Sequence, residues 1–186
     1  MDYMEKDYYF KNTFSKFIEI SGADRANFLQ GIITNDINKC KEKNNCIYSC
    51  FLSPQGKFLA DFFITNFEDY YLLEINEKFF ESFFSKLKIY KLRSKVEFKE
   101  NINLISFVFF YKDRPPINKN INLYPDSRNI NLGTKAYIDK KSNNLDIIAQ
   151  LNELNFELYR EKLMKNLVPN SPTDLIENKS LLLENN

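Results

Sequence analysis

Between residues 47 and 99 the hydrophobic period changes twice, and few folds accept that order of changes. Ile47–Leu52, Lys57–Thr65 and Tyr70–Ile75 alternate as strands, with Ser53-Pro54-Gln55-Gly56 as the turn between the first two. The period then lengthens. Asn76 stands as the cap of a helix, NEKFFESFFSKLKIY, whose Phe79, Phe80, Phe83, Phe84 and Leu87 form one apolar stripe. Alternation returns in KLRSKVEFK (91–99), with Leu92, Val96 and Phe98 inward and Lys91, Arg93 and Lys95 outward. Three antiparallel strands, a helix and a return strand predict a ferredoxin-like α+β unit over 47–99. The chain has 18 Phe and no Trp, so phenylalanine supplies much of the packing volume.

The flanks read as α+β too. FSKFIEI (14–20) alternates as a strand, and Ser21 with Asp24 has the S-x-x-D form of a capping box. Phe28, Leu29, Ile32 and Ile33 then fall on one helix face that ends before Thr34, with Asn35 and Asp36 as exit residues that tolerate left-handed turns. Residues 101–110 are too apolar for an edge strand and predict a central one. Residues 114–133, rich in Pro and Asn, read as loop, followed by a strand near 134–138 and a helix over 151–165.

Composition removes whole classes of chemistry. With no histidine, Ser-His-Asp and Cys-His catalysis, zincin-type metal sites and histidine pH switching are all out. The four glycines, at 22, 31, 56 and 133, write neither a dinucleotide fingerprint nor a Walker loop. Basic and acidic residues number 26 and 25, so no global field draws nucleic acid or an acidic membrane. Cys40, Cys46 and Cys50 match no zinc or ferredoxin spacing and read as reduced thiols, with no metal site expected. The first ten residues, MDYMEKDYYF, are acidic and aromatic, unlike a targeting segment, and no apolar run approaches the ~20 residues of a membrane span. A cytoplasmic protein without membrane partners is expected.

Three constellations carry binding chemistry, each beside a plainer reading. Asp61 alternates between apolar neighbours on its strand face, a place that keeps a carboxylate when it is paired, hydrogen-bonded or facing a cavity. Gln55-Gly56-Lys57 can offer backbone amides and an ammonium to a carboxylate, or is an ordinary hairpin turn. Lys86, Lys88, Lys91, Arg93, Lys95 and Lys99, with Tyr90 among them, can grip an anionic tail or RNA phosphates, or form a solvated face.

Taken in order, SGADRANFLQGIITNDI, FLSPQGKFLADFFI, YKLRSKV, YPDSRNINLG and YREKLMKNLVPNSPTDLIENKSLLLENN resemble the YgfZ/GcvT family, folate-binding proteins related to the aminomethyltransferase (T-protein) of glycine cleavage. The resemblance runs from about Phe14 to the last residue. It implies a GcvT/YgfZ-like folate-binding fold with antiparallel sheets, helices on one face and the ferredoxin-like unit inserted. On this division residues 1–46 and 100–186 form a discontinuous folate-binding domain around 47–99. Two departures stand out. The T-protein's paired-acid segment has Ala60 at its first acidic place and keeps only Asp61. The YgfZ branch continues into a K-G-C-x-x-G-Q-E motif and a β-barrel, which this sequence does not include, so a truncated chain is expected, with Leu181-Leu182-Leu183 short of its cover.

The resemblance implies tetrahydrofolate as cofactor, held by Asn35, Asp36, Gln55, Lys57, Asp61, Tyr90 and Arg93, with the pterin on an aromatic ring and the glutamate tail near Lys57 or Arg93. It implies support of iron–sulfur cluster assembly or repair, with assembly or client proteins as partners, no nucleic acid and no catalytic residue assigned. The rivals are an aminomethyltransferase, which transfers its group with the help of an acid beside the folate nitrogen, and a scaffold remnant without a ligand.

Overall fold

The computed structural model describes residues 7–41, 45–113 and 121–182. The chain divides into two units. One comprises Phe14–Ile102 with Pro169–Asn186, the other Met1–Thr13 with Asn103–Val168. The sequence-expected boundaries at 46/47 and 99/100 do not coincide with this division, and the reason is strand pairing.

In the larger unit, β2 (Ser15–Ser21) leads to helix α1 (Arg25–Gln30). Then come β3 (Cys46–Leu52), β4 (Phe58–Phe67), β5 (Tyr70–Asn76), helix α2 (Glu77–Tyr90) and β6 (Glu97–Glu100). They form one antiparallel sheet in the order β3-β4-β5-β2-β6. The expected meander is present. Its return strand β6, however, pairs among the described residues with β2 alone, at Ile18↔Glu100 through Ser21↔Glu97. β2 also pairs along its whole length with β5, from Ser15↔Asn76 to Ser21↔Tyr70. The segment 47–99 therefore closes its sheet only with β2.

One face of this sheet is the core. Ile18 and Ile20, Phe51, Ala60, Phe62 and Ile64, and Leu73 and Ile75 meet Phe79, Phe80, Phe83 and Leu87 of α2. Asn76 caps that helix as expected, its side chain accepting from the Lys78 amide at 3.0 Å. An isolated helix of this length is marginal in water. Each buried Phe contributes about 1.5–3 kcal/mol, so the sheet holds the helix.

Three local expectations fail. The Ser21–Asp24 capping box does not form, because Ser21 is still strand and Asp24 itself is the N-cap, without a side-chain cap bond. The Asp24 carboxylate instead accepts from the Lys95 amide at 2.7 Å. The alternating pattern at 91–99 yields a strand only from Glu97, and Leu92, expected inward, is 87% exposed. Finally, Ser180 and Asn178 hydrogen-bond the backbone of Phe58, Leu181 bridges to Lys57, and Leu182 packs against the core. Leu182 thus has cover, Leu181 stays 38% exposed as expected, and Leu183 and the Arg114–Asn120 part of the expected loop lie outside the described residues.

The other unit holds β1 (Tyr8–Asn12), β7 (Leu104–Phe110), β8 (Tyr124–Pro125), β9 (Thr134–Asp139), helix α3 (Asn144–Ile148), β10 (Asn152–Glu153) and helix α4 (Phe156–Lys165). Its strand order is β10-β1-β7-β9-β8. The apolar run at 101–110 is central, as predicted. α4 starts later than Leu151 because Asn155 caps it, accepting from the Leu158 amide at 3.0 Å. Phe10, Val108, Leu132, Tyr159 and Leu163 form the core beneath this helix.

Candidate functional site

The corner Thr34-Asn35-Asp36 is built to cover an edge. β3 is an outer strand of its sheet, and such a strand leaves amides and carbonyls open to pairing. The Thr34 amide donates to the Cys50 carbonyl at 3.1 Å and to Ser49 Oγ at 3.0 Å, and Thr34 Oγ1 accepts from the Cys50 amide at 2.9 Å. Asn35 Nδ2 donates to the Tyr48 carbonyl at 2.9 Å. Asp36 turns the other way. Its Oδ1 accepts from the Asn38 amide and side chain, both at 2.9 Å, at the start of the 3₁₀ turn Ile37–Lys41. Those bonds hold the exposed Asp36 carboxyl below its usual range.

One strand inward from that edge lies Asp61. On β4 it pairs with Cys50 of β3, and Tyr48, Cys50, Asp61 and Phe63 share the sheet face opposite α2. Asp61 is 9% exposed, and the Tyr48 hydroxyl donates to its Oδ2 at 2.8 Å. The sequence reading that this carboxylate is hydrogen-bonded holds. The Tyr48 ring lies 5.4 Å from that of Phe63, which gives the carboxylate an aromatic flank. Burial, and then the charge of Asp61, push the Cys50 thiol up to about 12, against smaller opposing hydrogen bonds from Tyr48 and Thr34. Cys40 is also pushed to about 12, by burial and then by Cys46, and its thiol lies 3.3 Å from the Ile64 carbonyl. Both are neutral thiols at pH 7 and poor nucleophiles. Among the described residues no group of three or more acidic or thiol side chains could hold a metal ion.

The other expected ligands do not converge on this point. Gln55 and Lys57 are exposed on the β3–β4 hairpin, and Lys57 lies four positions before Asp61 on the same strand line, about 13 Å away at strand rise. Gly56, at φ 78°, makes that turn. Tyr90 lies on the opposite face from Asp61, its ring edge-on to Phe51 at 5.6 Å. Arg93 lines a shallow open cleft with Asp24, Leu92 and Ser94. Tyr90 and Asp61 therefore cannot flank one ring from the same side of the sheet.

The sequence reading missed two features of the Asn103–Val168 unit. Asp126 and Arg128, inside YPDSRNINLG, form a buried bidentate pair, with Nε to Oδ1 at 3.0 Å and Nη2 to Oδ2 at 2.7 Å. A D-x-R spacing is the only signal, and it is a weak one. A cleft of about 660 Å3 opens between the ends of β7 and β9 and the last turn of α4, lined by Phe110, Tyr111, Lys112, Gly133, Lys162 and Lys165 among others. Lys162 Nζ lies 4.5 Å from the Phe110 ring centre, and burial, then the charge of Lys165, lower its pKa. Gly133 is required there, since a Cβ would stand 2.5 Å from the Phe109 carbonyl oxygen.

No protein-family profile matches the chain. It is similar to a protein of Mycosarcoma maydis named iron-sulfur cluster assembly factor IBA57 homolog, mitochondrial, at 26% identity over 185 residues, covering 91% of this chain and 45% of that one. It is also similar to an aminomethyltransferase of Ralstonia pickettii, at 32% identity over 60 residues, 32% of this chain and 16% of that one. Among solved structures, the glycine cleavage system aminomethyltransferase T of Bartonella henselae superposes with a TM-score of 0.57 at 12% identity, over 87% of this chain and 46% of that one. The chain thus spans about half the length of that Mycosarcoma maydis relative. The fold is α+β and GcvT/YgfZ-like, and these likenesses together support a YgfZ/GcvT-like family for the chain.

Proposed function

We propose that this chain is the folate-binding part of a YgfZ-type protein that supports iron–sulfur cluster assembly or repair, with assembly or client proteins as partners. The observation that carries the reading is the likeness along 91% of the chain to a protein named as an iron–sulfur cluster assembly factor. Three buried cysteines outside any disulfide suit a reducing compartment such as the cytosol.

The proposed folate contact is the Asp61 corner. The chemistry of its donor set fits the polar edge of a pterin, because a carboxylate accepts from ring N–H groups while Tyr48 and Phe63 supply an aromatic flank. Asn35 is braced against the Tyr48 carbonyl at this corner, and Lys57, about 13 Å along the strand line, would meet a carboxylate tail and not the ring, with Gln55 beyond it on the hairpin. Tyr90, on the far face, is left out of it, and so is Arg93.

Aminomethyl transfer is the weaker reading despite the aminomethyltransferase match. The strand position that carries the T-protein's first acid is Ala60 here, paired with Phe51 and packed into the α2 core. A carboxylate at that position would be buried among phenylalanines, so the chain has no second acid to offer from this strand.

Titration calorimetry with tetrahydrofolate tests the site. Binding by the wild-type chain, lost in Asp61→Asn and weakened in Tyr48→Phe while both variants still melt cooperatively, supports it. Wild-type protein that is folded and releases no heat with tetrahydrofolate overturns the cofactor assignment. The broader role is tested in cells, where loss of the gene should lower the activity of iron–sulfur enzymes without lowering their amounts.

A further inference from the structure

We propose that residues 89–95, the end of α2 and the loop after it, are a docking surface for an acidic protein partner, with Leu92 as the apolar anchor.

Leu92 is 87% exposed at φ 44°, in the left-handed region where a branched, bulky side chain is strained. It follows the helix C-cap, a place usually given to glycine for that reason. The sequence thus keeps a leucine where folding favours its removal. Ile89, 70% exposed, stands beside it, while Tyr90 is fixed edge-on to Phe51.

The loop is held rigidly in that pose. Asp24 Oδ2 accepts from the Lys95 amide at 2.7 Å, the Asp24 amide donates to the Lys95 carbonyl at 3.3 Å, and the Ser94 amide donates to Lys91 at 2.8 Å. Gly22 makes the approach possible, since a Cβ there would lie 2.2 Å from the Lys95 carbonyl oxygen. Val96, buried in the core, anchors the exit. A pre-ordered loop loses little entropy on binding.

Charge names the occupant. Lys91, Arg93 and Lys95 alternate with Leu92 and Ser94 in the loop, while Asp24, which lines the same cleft, has its Oδ2 engaged by the Lys95 amide. The contrast with the end of α4 is informative, because Leu167 is also left-handed and exposed, yet Glu161 shortly before it is paired with Lys165. A left-handed leucine by itself does not select a partner. A loop with a basic excess and an exposed apolar centre selects an acidic surface with an apolar socket. Exposed leucine and isoleucine, with the Tyr90 ring engaged edge-on by Phe51, favour protein over single-stranded nucleic acid, whose bases stack on aromatic faces. A second copy of this chain would set like charges against each other. The inference is independent of the folate assignment.

Short random peptides displayed on phage are selected on the immobilised full chain and counter-selected on Leu92→Gly, and the survivors are measured by fluorescence anisotropy. The expected survivors combine Asp and Glu with a large apolar residue, and they bind about tenfold more weakly to Leu92→Gly and to the double variant Lys91→Glu/Lys95→Glu. Leu92→Gly should melt at the same or a higher temperature, which separates loss of docking from loss of fold, and it should leave tetrahydrofolate heats unchanged. The proposal is overturned if no acidic-apolar peptide survives counter-selection. It is equally overturned if fluorescein-labelled oligothymidylate binds wild type and Leu92→Gly alike but not the lysine double variant, which would make the loop a nucleic-acid contact. Sedimentation showing a dimer that Leu92→Gly dissolves would assign the surface to a second copy instead.

Discussion

Asp126 and Asp61 are both buried carboxylates, and they are stabilised in opposite ways. Asp126 is satisfied by its own neighbourhood, since Arg128, two residues on, donates from its amide and from two guanidinium nitrogens. Asp61 accepts from a hydroxyl on the neighbouring strand, Tyr48, thirteen residues back, and it raises the pKa of the thiol that pairs with it across the strands. A charge neutralised by a bidentate arginine is a structural pin. A hydroxyl from the neighbouring strand holds its carboxylate without the planar two-point lock of a guanidinium, a geometry better suited to a binding site than a pin.

The pinned pair should break hardest. Arg128→Ala leaves the Asp126 side chain, fully shielded from solvent, without its guanidinium, and removing one partner of a buried pair costs about 3–5 kcal/mol. Urea denaturation should show that loss, and Arg128→Lys should recover only part of it because an ammonium cannot reproduce the planar fork. A loss below about 1 kcal/mol, the range of surface pairs, would mean that Asp126 is solvated and the contrast with Asp61 is false. Tyr48→Phe is the matching change at the other carboxylate. It deletes one hydrogen bond to a charged group and should cost about 1.5–3 kcal/mol. An equal or larger loss than in Arg128→Ala would reverse the comparison.

How much of this was legible beforehand follows the same division between local and distant causes. The α2 stripe, its Asn76 cap, the β3–β4–β5 meander and the central place of β7 follow from period and burial, which a single segment carries in itself. The burial of Asp61 was also readable, because strand alternation put it between apolar neighbours. What failed depended on partners far along the chain. Ser21 and Asp24 look like a capping box, but β6 holds Ser21 in a strand and the Lys95 amide takes the Asp24 carboxylate. Leu92 looks like the inward residue of a strand, yet the backbone turns left-handed there. The seven expected ligand residues were gathered by resemblance, and only pairing register could reveal that Tyr90 and Asp61 face opposite sides of one sheet. The Phe110–Lys162 cleft was invisible because its lining comes from three separate segments.

The thiol beside Asp61 gives a third, pH-dependent measure. Cys50 rises from 9.0 to about 12 on folding, so the unfolded chain ionises first. Stability is then fully present below pH 9 and falls as pH rises toward 12, by up to about 1.4 kcal/mol per pH unit for each such thiol. Cys40 acts in the same direction. Cys50→Ala should therefore flatten the alkaline limb of the denaturation midpoint without moving the neutral plateau by more than its packing cost. Unchanged alkaline steepness would mean that burial and the charge of Asp61 do not hold the thiol neutral as the geometry has it.

Asp36 supplies the smallest effect and the cleanest control, because its carboxylate is local like Asp126 yet exposed like a surface group. Hydrogen bonds from the Asn38 amide and side chain lower its pKa, with Lys39 and Lys41 adding to them. A depressed carboxyl stabilises the fold above its unfolded value, near 3.8, and loses that contribution as pH falls through the folded value. Asp36→Asn should thus leave stability almost unchanged at pH 7 and make the acid limb below about pH 4 slightly shallower, a difference that salt screens. If the substitution instead lowered stability at neutral pH as much as Tyr48→Phe, the Thr34-Asn35-Asp36 corner would owe its hold on the β3 edge to a charge. Its bonds argue otherwise, since Thr34 and Asn35 grip β3 through neutral donors and acceptors while Asp36 turns away to start the next turn.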